Sequence, residues 1–182
     1  STRLRENAST LLRNQKREEE SYITATTLKQ KALLWKKEIM KYERKQPPLK
    51  ANKAGLIVVD MQEFFLSQKS PAYRPQARII LETIKALVDA FSKAKRPVHF
   101  IAHAHCKATQ DGGLMALWWK KVCQEGSVWA NITRVLNPAD GPTFQKCRYS
   151  AFSNPNLENA LRAEGIEDVV ISGIMTNLCV ES

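Results

Sequence analysis

Asp168-Val-Val-Ile-Ser-Gly-Ile-Met-Thr-Asn-Leu-Cys179 is the stretch whose reading decides the architecture of this chain. A short apolar run rich in β-branched residues is the pattern of a buried strand, and Gly173 marks the turn that ends it. Thr176 or Asn177 can cap a following helix, which would carry Cys179 in its first turn. Helix-terminal N–H groups and the positive end of the dipole favour thiolate over thiol, so a cysteine placed there is a candidate nucleophile. Standing alone, Cys179 would equally be read as a small core residue.

Two further segments bear on that choice. Gly55-Leu-Ile-Val-Val-Asp60-Met-Gln62 reads as a buried strand whose first charge falls at its carboxyl end. Thr143-Phe-Gln-Lys146 is a shorter strand ending in a lysine, followed by Arg148-Tyr-Ser-Ala-Phe152. All three strands would deliver their last residues to one edge of a parallel sheet, where open α/β sheets bind ligands. A carboxylate, an ammonium and a thiol converging there make a nucleophile, its base and a compensating charge.

Taken together, Val-Val-Asp60-Met-Gln62-x-x-Phe65, Lys146-x-Arg148-Tyr-Ser-Ala-Phe152 and Gly173-Ile-Met-Thr-Asn-Leu-Cys179-Val-Glu-Ser resemble the isochorismatase-like cysteine hydrolases. That superfamily holds nicotinamidases, carbamoyl-sarcosine amidases, and ureidoacrylate and biuret amidohydrolases. The resemblance covers residues 54–182, and Pro97-Val-His-Phe-Ile-Ala-His-Ala-His105, Asp111-Gly-Gly and Trp118-Trp119 look like an amidohydrolase subgroup. It implies a three-layer, doubly wound, mainly parallel α/β sheet and hydrolysis of a small amide or carbamoyl C–N bond through a thioester. Asp60, Lys146 and Cys179 would form the triad. The backbone N–H groups of Met175 and Cys179 would form the oxyanion hole, aimed by a cis peptide between Ile174 and Met175. Gln62, Phe65, His105, Trp118, Trp119 and Tyr149 are the candidates for substrate contacts. The family continues beyond the nucleophile with a helix and two strands, so the Cys179 strand is expected to lie at a sheet edge.

Two other readings remain beside this one. Isochorismatase-type vinyl-ether hydrolysis needs no cysteine, and a catalytically silent scaffold subunit needs no triad.

The 182 residues hold 43% hydrophobic and 25% charged side chains, the balance of a globular domain with a sizeable core. No apolar run reaches the ~20 residues of a membrane span, and the expected location is cytoplasmic. Cys106, Cys123, Cys147 and Cys179 show no CxxC pairing and read as reduced thiols, with Cys147 in the core. The net charge of +10 is concentrated in residues 1–53, which carry 14 Lys+Arg against 6 Glu, while residues 54–182 carry 14 against 12 acids. Residues 1–53 are therefore an extension and linker, and residues 54–182 the hydrolase domain.

Within the extension a polar stretch runs through Glu18-Glu-Glu20, after which Leu28, Ala32, Trp35, Ile39 and Tyr42 recur at helical spacing. This stripe is expected to pack on its own domain or a neighbouring subunit rather than on nucleic acid, and a homo-oligomer, dimer or tetramer, is expected. Gln46-Pro-Pro-Leu ends the helix. Further on, Ile80, Ile84, Leu87 and Phe91 define a core helix before the strand Val98–Ala102, and His99 inside that strand reads as a satisfied core residue. Asp111-Gly-Gly113 reads as a turn, Met115 to about Gln124 as a short helix, and Asn154-Pro155 as the start of another. His103 and His105 stand two apart with no histidine downstream, short of the three ligands a catalytic metal takes, so no metal is expected. No Gly-rich phosphate loop occurs, and no cofactor is expected.

Overall fold

Six consecutive apolar residues, Ala54–Val59, form strand β1, buried at every position. A computed structural model describes the backbone of residues 2–19, 21–45, 47–119 and 121–182, with side chains of residues 8–18 and from 21 onward within those ranges. Glu20, Gln46 and Lys120, which fall in the expected polar stretch, linker and short helix, lie outside the described residues.

β1 lies between β2 (Val98–His103) and β4 (Asp168–Gly173), and β3 (Thr143–Lys146) flanks β2, giving the parallel order β3-β2-β1-β4. A strand buried on both faces must be apolar at successive positions, and the pleat then divides its side chains between two cores. Leu56 and Val58 join Ile84, Val88, Phe100 and Leu136 on one side. Ile57 and Val59 join Leu157, Leu161 and Cys179 on the other. Each such side chain contributes about 1.5–3 kcal/mol on burial.

The layers are supplied by helix α4 (Pro75–Lys93) on the first face and helix α7 (Pro155–Ala163) on the second, so the sheet is doubly wound as expected. α4 starts on Pro75, whose missing N–H costs nothing at a first helical position. α7 starts on Pro155, and the Asn154 side chain accepts the Asn156 N–H at 3.0 Å. β1, β2 and β3 build outward in one direction and β4 adds on the opposite side of β1. The crevice at the carboxyl ends of β1 and β4 is the topological switch point at which doubly wound sheets bind ligands.

β4 is an edge strand, with Val169 and Ile171 each about 40% exposed. Its last residue, Gly173, adopts φ 120°, and a Cβ there would meet the Val59 carbonyl oxygen at 2.1 Å. Only glycine permits that approach. Gly173→Ala is expected to destabilise the domain by more than about 2 kcal/mol, read as a lowered urea midpoint.

The extension differs from expectation. The polar stretch is itself a helix, α1 (Thr2–Glu19), and it is α1 that docks. The buried Asn14 amide donates to the carbonyls of Gln68 and Ser70 at 2.7 and 2.9 Å, Arg17 donates to the Tyr73 carbonyl at 3.3 Å, and Glu18 accepts from Tyr73 Oη and from Gln68. Helix α2 (Leu28–Met40) forms where the apolar stripe lies, yet buries none of its residues. Its Trp35 ring lies 5.8 Å from the Tyr22 ring between centroids, while Ile39 and Tyr42 stay exposed. Docking by hydrogen bonds to a loop's open carbonyls leaves no apolar periodicity to read.

Elsewhere the departures are small. Helix α3 (Glu63–Leu66) follows β1, the segment at Asp111 closes a short helix α5 (Ala108–Asp111), and α6 (Gly113–Trp118) ends well before Gln124. Cys147 is half-buried rather than core, its sulfur 3.5 Å from the Arg148 guanidinium. His99 is fully buried, with Nε2 3.0 Å from Glu164 Oε2 but outside hydrogen-bond geometry. Among the described residues, no helix is long and apolar enough to cross a membrane.

Candidate active site

Asp60 is the first residue past β1 and holds φ 55°, a left-handed conformation that aspartate tolerates better than most residues. The Gln62 N–H donates back to the Asp60 carbonyl at 2.8 Å, turning the chain at the crevice. Lys146 ends β3, two strands away, and its Nζ lies 3.0 Å from Asp60 Oδ2 and 3.2 Å from the Arg148 carbonyl. Both side chains are almost wholly excluded from solvent. A buried pair of this kind holds only while both partners are present.

Cys179 arrives from β4. The peptide between Ile174 and Met175 is cis, and Thr176–Val180 forms a single wide π-helical turn closed by the Val180 N–H on the Met175 carbonyl at 3.2 Å. Neither Thr176 nor Asn177 caps it; Met175 precedes the turn without a side-chain bond. The Met175 N–H has no acceptor among the described residues.

The protonation pattern follows from burial. The Cys179 thiol is pushed up to about 12, by burial first and then by the Asp60 carboxylate, against the opposing pull of Lys146. Desolvation thus outweighs what one turn of helix offers a thiolate, and the sulfur needs a base to become a nucleophile. Burial also raises Asp60, with Lys146 and then the neighbouring Cys179 thiol acting to lower it. Asp60 Oδ2 is bound to Lys146, whereas Oδ1 is buried and accepts no hydrogen bond at normal geometry. One carboxylate oxygen is committed to charge compensation and the other is left to receive a proton.

Around these groups is a cavity of ≈ 60 Å³, lined by Asp60 and Cys179 and walled by Phe64, Phe65, Met115, Trp119, Tyr149 and Met175. Phe65, Trp119 and Tyr149, expected at the substrate, stand in this wall, and Trp119 Nε1 donates to Tyr149 Oη at 3.2 Å. Gln62, His105 and Trp118 do not stand in it. Gln62 is fully buried and clamps backbone: its amide donates to the carbonyls of His103 and Ala130 at 3.0 and 2.8 Å and accepts the His103 N–H at 2.7 Å. His105 lies behind the wall, Nδ1 3.1 Å from Asp111 Oδ1 and Nε2 3.0 Å from His103 Nε2. Trp118 is 70% exposed because α6 turns it outward. Arg74 and Lys121, which carry no sequence signal, also line the cavity, as do His103, weighed only as a metal ligand, and Cys123, read only as a reduced thiol. A histidine ending a strand beside Asp60 was a usable signal for His103; Arg74 lies in an irregular loop that offers none.

His103 is held near pKa 3, by burial first and then by Lys146 and His105. With the ordinary value near 6.5, the unfolded chain takes up this proton over a window in which the native state refuses it. The stabilisation is complete above pH 6.5 and is lost as pH falls toward 3. It should cost about 2 kcal/mol between pH 7 and pH 5. Urea unfolding at both pH values is expected to show that loss, and His103→Gln to remove most of it. No cluster of three His, Cys, Asp or Glu side chains suited to a metal occurs among the described residues.

Residues 54–182 match the family model described as the isochorismatase domain. Nicotinamidase 3 of Arabidopsis thaliana is 32% identical over 146 residues, covering 78% of this chain and 69% of that protein. N-carbamoylsarcosine amidase of an Arthrobacter species is 26% identical over 136 residues, covering 71% of this chain and 52% of that protein, so the chain spans only about half its length. Among solved structures, a cysteine hydrolase from Pseudomonas syringae pv. phaseolicola superposes with a TM-score of 0.70 at 26% identity, covering 75% of this chain and 66% of that one.

Proposed function

The chain belongs to the isochorismatase family, and on that premise we propose that it hydrolyses the C–N bond of a small amide or carbamoyl compound through a thioester on Cys179. The observation that carries this reading is the buried, unbonded Asp60 Oδ1 in the cavity that Cys179 also lines, with Oδ2 held by Lys146 at 3.0 Å.

The resting site is then a thiol, a carboxylate and an ammonium. As sulfur attacks the carbonyl carbon, its proton passes to Asp60 and the carbonyl oxygen gains the negative charge. Lys146 is by then opposite a neutral carboxylic acid, so its charge compensates the oxyanion, and the N–H groups of Met175 and Cys179 are the proposed direct donors. Collapse expels the amine, which takes the proton from Asp60. The carboxylate next draws a proton from water attacking the thioester and returns it to sulfur, releasing the acid and restoring the thiol. The three groups exchange protons as a set rather than as separate sites. A 60 Å³ cavity with aromatic walls suits a compact, partly apolar substrate.

Ammonia release from a panel of small amides and carbamoyl compounds tests the reaction class. Turnover of at least one member supports it; hydrolysis of an enol ether with no ammonia from any amide would move the reading to vinyl-ether chemistry.

A further inference from the structure

Arg74 lines the cavity half-buried, as the residue preceding α4. Its guanidinium donates to the Tyr73 carbonyl at 3.1 Å, the carbonyl that also receives Arg17 at 3.3 Å. Two cations thus share one neutral acceptor, and among the described residues no carboxylate pairs with Arg74. Burial, and then Arg17, lower its pKa, so its surroundings disfavour the charge it carries. An arginine that is half-desolvated, beside a like charge and without an acid, is poorly satisfied by the protein alone.

The rest of the wall has the same sign. Lys121 also lines the cavity and makes no ion pair among the described residues. The one acid in the wall is Asp60, and Lys146 already neutralises it. The cavity consequently carries an excess of positive charge over apolar walls. The N-terminus of the 19-residue helix α4, next to Arg74, adds partial positive charge on the same side.

We propose that Arg74 is the carboxylate-binding group of this site, so that the substrate is an amide or carbamoyl compound bearing a carboxylate, its carbonyl at Cys179 and its anionic end on the Arg74 guanidinium. This rests on the hydrolytic reading above and sets the substrate class within it. A planar guanidinium meets a planar carboxylate through two parallel hydrogen bonds, which fixes orientation as well as charge. Helix α1 sets where that group stands, because Asn14 and Arg17 hold the carbonyls of Gln68, Ser70 and Tyr73 in the loop that ends at Arg74.

The test compares N-carbamoylglycine with its methyl ester, which keeps the carbamoyl group and loses the charge. Wild-type protein is expected to favour the acid at least tenfold in kcat/KM. Arg74→Gln should erase that preference mainly by raising KM for the acid 10- to 100-fold, and Arg74→Lys should restore part of it. Equal losses for acid and ester in Arg74→Gln, or a wild-type preference for the ester, overturn the proposal while leaving the hydrolase reading intact. Calorimetry on Cys179→Ala separates the two claims. Binding of the acid that depends on Arg74, with no ammonia from any member of the amide and carbamoyl panel, upholds the carboxylate site and sinks the hydrolytic reading; neither binding nor hydrolysis of the acid sinks the proposal.

Discussion

Cys179→Ala is expected to lower kcat by ~10⁴-fold or more, with the fold retained, because no other group on the proposed path can form the covalent intermediate. The substitution removes one small, 8%-exposed side chain, and a stability loss of about 1 kcal/mol is expected from the urea midpoint. Cys123, the other cysteine in the cavity wall, is no substitute: burial pushes its thiol up to about 11, and it stands apart from the Asp60–Lys146 pair's hydrogen bonds. Steady-state ammonia release by purified wild type and variant, with circular dichroism to confirm folding, decides the matter. A Cys179→Ala protein working within tenfold of wild type would return the site to cysteine-independent chemistry, with Asp60 acting on substrate or water.

The second large effect is expected from the ion pair, and its two halves fail differently. In Lys146→Met the rise that burial imposes on Asp60 loses its main opposition. The carboxyl then keeps its proton at neutral pH, cannot accept another from the thiol, and kcat falls ~10²–10⁴-fold. Raising the pH ionises Asp60 again, so part of the lost activity should return up an alkaline-shifted limb. Asp60→Asn cannot ionise, and its loss of similar size should persist at every pH. It also strands the Lys146 ammonium, whose side chain is 0% exposed, at a cost of about 3–5 kcal/mol. The pH profiles of kcat for both variants are the discriminating data. Parallel profiles would mean that Lys146 does not act through the protonation state of Asp60.

Strand ends were the legible part of this molecule. Asp60 follows a run of apolar, β-branched residues and could be placed at a strand end from that run alone, whereas Lys146, after Thr-Phe-Gln, and Cys179, six residues past Gly173, were singled out by the motifs around them. Direction within that edge was not legible. Gln62, two residues after Asp60, carries the same motif signal, yet its amide spans three backbone groups in the interior. Spacing cannot distinguish a residue that touches substrate from one that holds up the wall. Trp118 and Trp119 likewise differ by one position, yet Trp118 ends α6 and faces outward, while Trp119, extended just past the helix, reaches Tyr149. Which part of the extension docks on its own domain was not legible, because docking was inferred from apolar periodicity. α2 has that periodicity and stays exposed, whereas α1 docks through Asn14 on carbonyls that only the folded loop presents. Arg74 owes its place to the same loop, between Pro71 and Pro75, where no periodic signal exists. The thiol's protonation state is a property of the packed interior and has no local sequence signature.

A rapid acid quench of wild-type protein mixed with excess hydrolysed amide, followed by intact mass and peptide mapping, tests the central claim most directly. The account predicts an acyl adduct on the peptide containing Cys179, appearing no later than the first ammonia and absent in Cys179→Ala. Release of a full equivalent of ammonia per site, with unmodified Cys179 at every quench time and no adduct under conditions that preserve a synthetic thioester, would contradict it.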